Sequence, residues 1–270
     1  MPELPEVEVV RQQLKQKVLN KKIIDLVSYH DNIFNGQIED LKDNLINQSF
    51  IDVERYGKYL VFILSNDKVL ISHLRMEGKY QIRPIDEKID KHEHIIFNFD
   101  DNTSLRYHDT RKFGRMDLRD KTTYLDVLPL SQLGSEPANM RNDELYEKIH
   151  KKNVYIKVAL LDQTIIAGLG NIYVDETLFM SNVSPLRRTN TITKKEANEI
   201  TKNAEIVLDK ALKLGGTTIR TFSATDMHGR FQNHLLVHTK KNLPCPVCGN
   251  TIIKTKVGGR GTYVCEVCQK

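Results

Sequence analysis

MPELPEVEVV, residues 1–10, governs the reading of the rest of the chain. After Pro5, Val7, Val10, Leu14 and Val18 recur at helical spacing, with Glu3, Glu6 and Glu8 near the start, where a helix dipole favours anions. The pattern predicts a helix over 5–18 with one face on a core. Such a helix fixes the direction of whatever precedes it, and that is Pro2. Once Met1 is trimmed, the Pro2 α-amine is a secondary amine on a rigid ring, and a chain-terminal amine titrates near ~7.7–8.0, far below lysine. Part of it is then neutral and able to attack a sugar's anomeric carbon, giving an iminium ion. Glu3 stands beside it as an acid or base. With Met1 attached, the same nitrogen is an amide and no nucleophile. The bland alternative is that the prolines and glutamates only start a helix.

Working outward, residues 22–119 hold short β-branched runs bounded by turn residues: KIIDLVSYH, SFIDVERYG, KYLVFILS, KVLISHL, HIIFNFD, SLRYH and RMDLR. They predict strands in a sandwich of antiparallel sheets. SQLGSEPANM, in 131–141, reads as a linker. Residues 142–214 read as helices (NVYIKVALLD, QTIIAGLG, NIYVDETLFMSN and a long amphipathic helix over 193–214), and a polar glycine-bearing loop follows over 216–234. GLGN, at 168–171, puts glycines at a helix start, where free backbone N–H groups would offer a phosphate site. The expected class is therefore α+β and multi-domain: a sandwich with a leading helix over 1–130, the linker, a helical domain over 142–234 and a ribbon over 235–270.

The ribbon carries the strongest motif. CPVC and CEVC place Cys245, Cys248, Cys265 and Cys268 as two C-x2-C pairs sixteen residues apart, the spacing of a tetrahedral zinc site. One structural Zn2+ is expected, closed to water and therefore not catalytic. All four cysteines of the chain lie here, which argues against a disulfide framework. Residues 235–270 also carry six Lys or Arg against one Glu, a formal +5 that equals the net charge of the whole chain. A basic module on a neutral body fits a polyanion. Arg260, in KVGGRGTY, is placed to fork onto phosphate. No apolar run is long enough to span a membrane, and the acidic N-terminus is unlike a secretory signal, so a cytoplasmic protein is expected.

PELPEVE, taken with these motifs, resembles the start of the formamidopyrimidine-DNA glycosylases, bacterial enzymes that remove oxidised purines, and the resemblance runs over all 270 residues. It implies a helix–two-turns–helix element in the second domain and DNA in the cleft between the domains. It implies a monomer that binds double-stranded DNA containing oxidised bases or abasic sites. Pro2 would displace the damaged base, Glu3 would protonate the sugar ring oxygen, and β,δ-elimination would cleave the strand, with Lys58 and Arg260 among the catalytic groups. Asn171 matches the family's phosphate-contacting asparagine and Lys157 a family lysine on the damage-facing side; Glu77 could line the pocket, and His92 is a further DNA-binding candidate. Met76, Arg111 and Phe113 match the residues that fill the gap left by a flipped nucleotide, although composition alone would put Met76 and Phe113 in a core. Two rivals stay open. An endonuclease VIII relative for oxidised pyrimidines usually begins PEGPE and lacks the Met, Arg and Phe trio. A non-catalytic DNA binder would keep the scaffold and retain Met1.

Overall fold

A computed structural model describes residues 1–217 and 229–270; the stretch 218–228 of the expected 216–234 loop lies outside the described residues. The chain divides into two compact units, one of Met1–Pro2, Glu6–Ser131 and, among the described loop residues, Gly229, the other of Glu3–Pro5, Gln132–Thr217 and Arg230–Lys270.

The first unit begins with α1 (Leu4–Val18), then β1 (Ile23–Ser28), α2 (Ile38–Leu45), β2 (Phe50–Tyr56), β3 (Tyr59–Leu64), β4 (Lys68–His73), β5 (Lys79–Pro84), β6 (Glu93–Phe99), β7 (Thr103–His108) and β8 (Arg115–Asp120). The strands form two antiparallel sheets, ordered β1-β6-β7-β5 and β2-β3-β4-β8. Phe50 and Phe62 of one sheet meet Phe97, Phe99 and Tyr80 of the other, with ring centroids 5.5–6.3 Å apart. That fully buried aromatic layer is the sandwich core, and Val7, Val10, Leu14 and Val18 of α1 join it. Two elements depart from expectation. IEDLKDNL forms α2, because Ile38, Leu41 and Leu45 fall on one helical face inside a stretch read as strands. KYQIRP forms β5, a largely polar strand whose alternation is weak.

The second unit holds α3 (Glu144–Ile149), α4 (Ile156–Leu161), α5 (Asn171–Met180) and α6 (Lys194–Lys213), then the hairpin of β9 (Ile253–Val257) and β10 (Arg260–Val264). The long helix starts where its sequence says: Thr193 and Glu196 form a reciprocal capping box. QTIIAGLG is not helical but a series of turns between α4 and α5. α5 is buried on nearly every side from Tyr173 to Phe179, including Asp175, Glu176 and Thr177. Charged residues in such a position need partners, and theirs define the site below.

Candidate functional site

In the sandwich unit, β4 ends at His73 and β7 at His108, and each strand is followed by a loop that displays candidate residues. Asp109, fully buried, organises one of them. Its Oδ1 accepts the Arg111 N–H at 2.9 Å, and its Oδ2 accepts those of Phe113 and Gly114 at 2.9 Å each. The buried Tyr107 hydroxyl donates to the same Oδ2 at 3.3 Å. Gly78 and Gly114 both lie against this hydroxyl, where a Cβ on either would overlap it. Arg75 and Lys112 take the left-handed backbone (φ 55° and 57°) that tight loops need. The two loops are also tied to each other by the Thr110 hydroxyl, which donates to Glu77.

The tips of these loops are on view. Arg111 is exposed, Phe113 is 47% exposed, and Met76 and Glu77 are half-buried. The Arg111 guanidinium lies 4.7 Å from the Phe113 ring centroid. An aromatic ring held by its backbone and left nearly half in solvent is not a core residue, so composition misleads at Phe113.

His73 closes the other loop. Its Nδ1 accepts the Arg75 N–H at 2.9 Å, which requires that nitrogen to be unprotonated. Burial, with Arg75 and Lys58 adding, pushes its pKa down to about 3. Lys58 sits not in a strand but in the β2–β3 turn after Gly57 (φ 55°), and it is 4% exposed rather than solvated. Pro2 is buried, while Met1 remains 47% exposed. His92 is half-buried just before β6. Its N–H donates to Asp90 at 2.9 Å, its carbonyl accepts from the Asp109 N–H at 2.9 Å, and its ring meets that of His108 edge-on.

In the second unit, the start of α5 receives Glu3. Its carboxylate accepts the Gly170 N–H at 2.6 Å, the Ile172 N–H at 2.9 Å and the Tyr173 N–H at 3.4 Å. A Cβ at Gly170 would collide with that carboxylate, and the Leu4 N–H anchors to the Gly168 carbonyl at 3.1 Å. Within GLGN the Gly170 N–H is taken by the protein's own carboxylate and the Gly168 N–H by Gln163 Oε1 at 3.0 Å, and Glu3 also holds the N–H groups of Ile172 and Tyr173 just beyond. The anion-binding character of a helix start is present, but its anion is intramolecular.

Lys157 also departs from the expectation of a DNA-facing charge. It is fully buried; its ammonium pairs with Asp175 at 2.6 Å and donates to the Gly261 carbonyl at 3.2 Å. Burial lowers its pKa, opposed by Asp175. Asn171 Nδ2 donates to the same Gly261 carbonyl at 3.1 Å, and its Oδ1 has no partner among the described residues. Asp175 further binds His238 Nδ1 at 2.8 Å and the Tyr263 N–H at 3.3 Å. Glu176 accepts the N–H groups of Leu236, Val237 and His238 at 2.7–3.0 Å, and burial raises its pKa. One helix thereby holds the ribbon and the segment that leads to it.

The ribbon places Cys245, Cys248, Cys265 and Cys268 with their sulfurs all within 4.8 Å of one another. Asn250 draws the Cys248 thiol down to about 6, whereas the neighbouring thiols, Cys248 first, drive Cys268 up to about 12. Four sulfurs this close resist joint ionisation unless a cation sits among them, so the donor set fits zinc. Gly258 and Gly259 turn the hairpin with φ of 54° and 79°, and Gly258 is packed on Val158. Arg260 follows, exposed.

Residues 1–116 match the model of the formamidopyrimidine-DNA glycosylase N-terminal domain, 133–223 that of the H2TH domain of the same enzymes, and 242–270 a zinc finger found in FPG and IleRS. The chain is 44% identical to the formamidopyrimidine-DNA glycosylase of Mycoplasma mobile, covering 100% of this chain and 99% of the relative. It is 45% identical to that of Oceanobacillus iheyensis, covering 100% and 98%. Among solved structures, it superposes on a Lactococcus lactis FPG mutant bound to Fapy-dG DNA with TM-score 0.95 and 40% identity, and on the Lactococcus lactis Fpg bound to abasic-site DNA with TM-score 0.94 and 38% identity. Both superpositions cover 100% of each chain.

Proposed function

The chain belongs to the formamidopyrimidine-DNA glycosylase family, and from that premise we propose how its residues share the work. It is a base-excision-repair DNA glycosylase whose ribbon holds one structural Zn2+ through its four cysteines. With four thiolates the metal has no open position, so it braces the hairpin and takes no part in the chemistry.

In the proposed reaction, Met1 is removed and the Pro2 nitrogen attacks C1′ of a flipped nucleotide, displacing the oxidised purine and leaving an iminium ion. β- and then δ-elimination break the strand on both sides of the sugar. The observation that carries this reading is the grip on Glu3. One peptide bond from Pro2, its carboxylate is held by N–H donors at the start of α5, so residue 2 is tethered to a rigid element. A nucleophile on a fraying terminus would lose that preorganisation. Glu3 serves the ring-opening proton transfer, Lys58 and Arg260 act at the flanking phosphates, and Asn171 retains an N–H for the backbone. Lys157 acts indirectly, by supporting the hairpin that carries Arg260. Met76, Arg111 and Phe113 fill the void in the duplex, with Glu77 and His92 beside the lesion strand. Monomeric, cytoplasmic action fits this chemistry, and no described helix is long and apolar enough to cross a membrane.

The deciding experiment is base release and strand cleavage by protein lacking Met1. Duplex carrying 8-oxoguanine opposite cytosine should be processed at least about tenfold faster than duplex carrying an oxidised pyrimidine. The reverse preference would support the endonuclease VIII reading. Protein that keeps Met1 should bind without releasing base.

A further inference from the structure

Arg106 lies in β7 of the sheet ordered β1-β6-β7-β5 and is 1% exposed, among the largest fully buried side chains of the chain. A buried guanidinium is costly unless every donor is matched, and an aliphatic residue would fill a sheet interior with less penalty. Here three of the five donated bonds converge on one connection, that between β5 and β6. Nη2 donates to the carbonyls of Pro84 and Glu87 at 2.8 Å each, and Nη1 reaches the Lys88 carbonyl at 3.5 Å. Nε bonds Ser104 at 2.9 Å, and Nη1 meets the Glu93 carboxylate at 3.0 Å. Glu93 is itself 4% exposed.

The chain of contacts continues outward from Glu93. The same Glu93 oxygen accepts the Asp90 N–H at 2.9 Å. Asp90 accepts the His92 N–H at 2.9 Å, and the His92 carbonyl accepts the Asp109 N–H at 2.9 Å. Asp109 then fixes the backbone of Arg111, Phe113 and Gly114. All of these groups belong to the sandwich unit.

We propose that Arg106 is a positioning residue for lesion recognition: with Glu93 it sets the 84–92 loop, and through that loop both His92 and the Asp109 turn that aims Arg111 and Phe113. The proposal rests on the reading of His92, Arg111 and Phe113 as DNA contacts. It assigns to a core arginine a task usually sought at a surface. It also explains why three backbone carbonyls of one crossover point inward at the same guanidinium.

The test uses zinc-replete full-length protein lacking Met1, with Arg106→Lys and Arg106→Met. Lysine keeps the charge and much of the volume but has no planar fork. Both variants should weaken binding to 8-oxoguanine duplex by about tenfold or more, while single-turnover excision at saturating DNA changes by less than about threefold. In the Phe113→Ala background the binding effect of Arg106→Met should shrink severalfold, because the two act on one element. Full additivity, or a loss confined to the saturated rate, would overturn the proposal. If Phe113→Ala and His92→Ala alone leave binding intact, the underlying DNA-contact reading fails instead. Should either arginine variant not fold, hydrogen exchange on wild type decides. The Asp90, His92 and Asp109 amides should exchange at rates typical of the sheet, and free exchange at all three would refute the network.

Discussion

The loop after β7 and the helix α5 are organised by the same device, a buried carboxylate that collects backbone N–H groups, yet they use it to opposite ends. Asp109 takes three N–H groups and leaves Arg111 and Phe113 in solvent. Glu3 and Glu176 take N–H groups at the start of α5 and from 236–238, and Asp175 between them consumes Lys157 and His238. One arrangement displays side chains; the other assembles a frame and leaves almost no charge on view. Substitutions at the loop tips should therefore alter recognition with little effect on folding, and substitutions along α5 should do the reverse.

The largest effect is expected at Asp175. Asp175→Ala leaves the Lys157 ammonium buried without its carboxylate, and breaking a buried pair in this way costs about 3–5 kcal/mol. Urea unfolding should show that loss in the second unit, accompanied by weaker DNA binding. A drop below about 1 kcal/mol would mean that the pair is not what holds the frame.

His73 gives the next effect, as a pH dependence. Its folded pKa is about 3 against an ordinary 6.5, so the unfolded chain takes up the proton first as pH falls. The contribution to stability is complete above about pH 6.5 and is lost progressively toward pH 3, reaching a loss of about 2 kcal/mol at pH 5. Between pH 7.5 and pH 5, wild type should lose about 2 kcal/mol more unfolding free energy than His73→Gln, and so show the steeper pH slope. Identical slopes would show that the Arg75 turn does not depend on a neutral imidazole.

The smallest cost in stability belongs to the tips. Phe113→Ala should change unfolding by less than about 0.5 kcal/mol while reducing discrimination between damaged and intact duplex by about tenfold. Arg260→Ala should instead weaken both duplexes alike and lower the salt slope by about one. If the two variants behaved alike, the division between wedge and phosphate clamp would be wrong.

How much of this was legible in the sequence depended on the range of the interaction. The cysteine pairs, the apolar face of α1 and the capped start of α6 are local patterns, and each was readable where it stands. IEDLKDNL was readable too, as a helical repeat, but the strands around it set the expectation. GLGN misled because the carboxylate that takes its Gly170 N–H belongs to Glu3, 167 residues away in the chain, and no local pattern announces it. Lys157 was placed on the damage-facing side by the resemblance alone, and no local pattern in YIKVALLD shows that Asp175 and the Gly261 carbonyl are brought to it. Asp109 was missed altogether, although an aspartate directly before T-R-K-F-G, a turn-forming position, was the available signal.

The central claim is that Pro2 attacks the sugar while Glu3 holds it in place, and reductive trapping tests it most directly. Protein lacking Met1, incubated with 8-oxoguanine duplex and borohydride, should form a one-to-one covalent adduct, because an iminium ion is reduced to a permanent bond. Peptide mapping should place that adduct on the Pro2 nitrogen, and protein retaining Met1 should give none. An adduct on Lys58 or another internal lysine would remove Pro2 from its role, and the absence of any adduct from DNA-binding, zinc-replete protein would contradict the account.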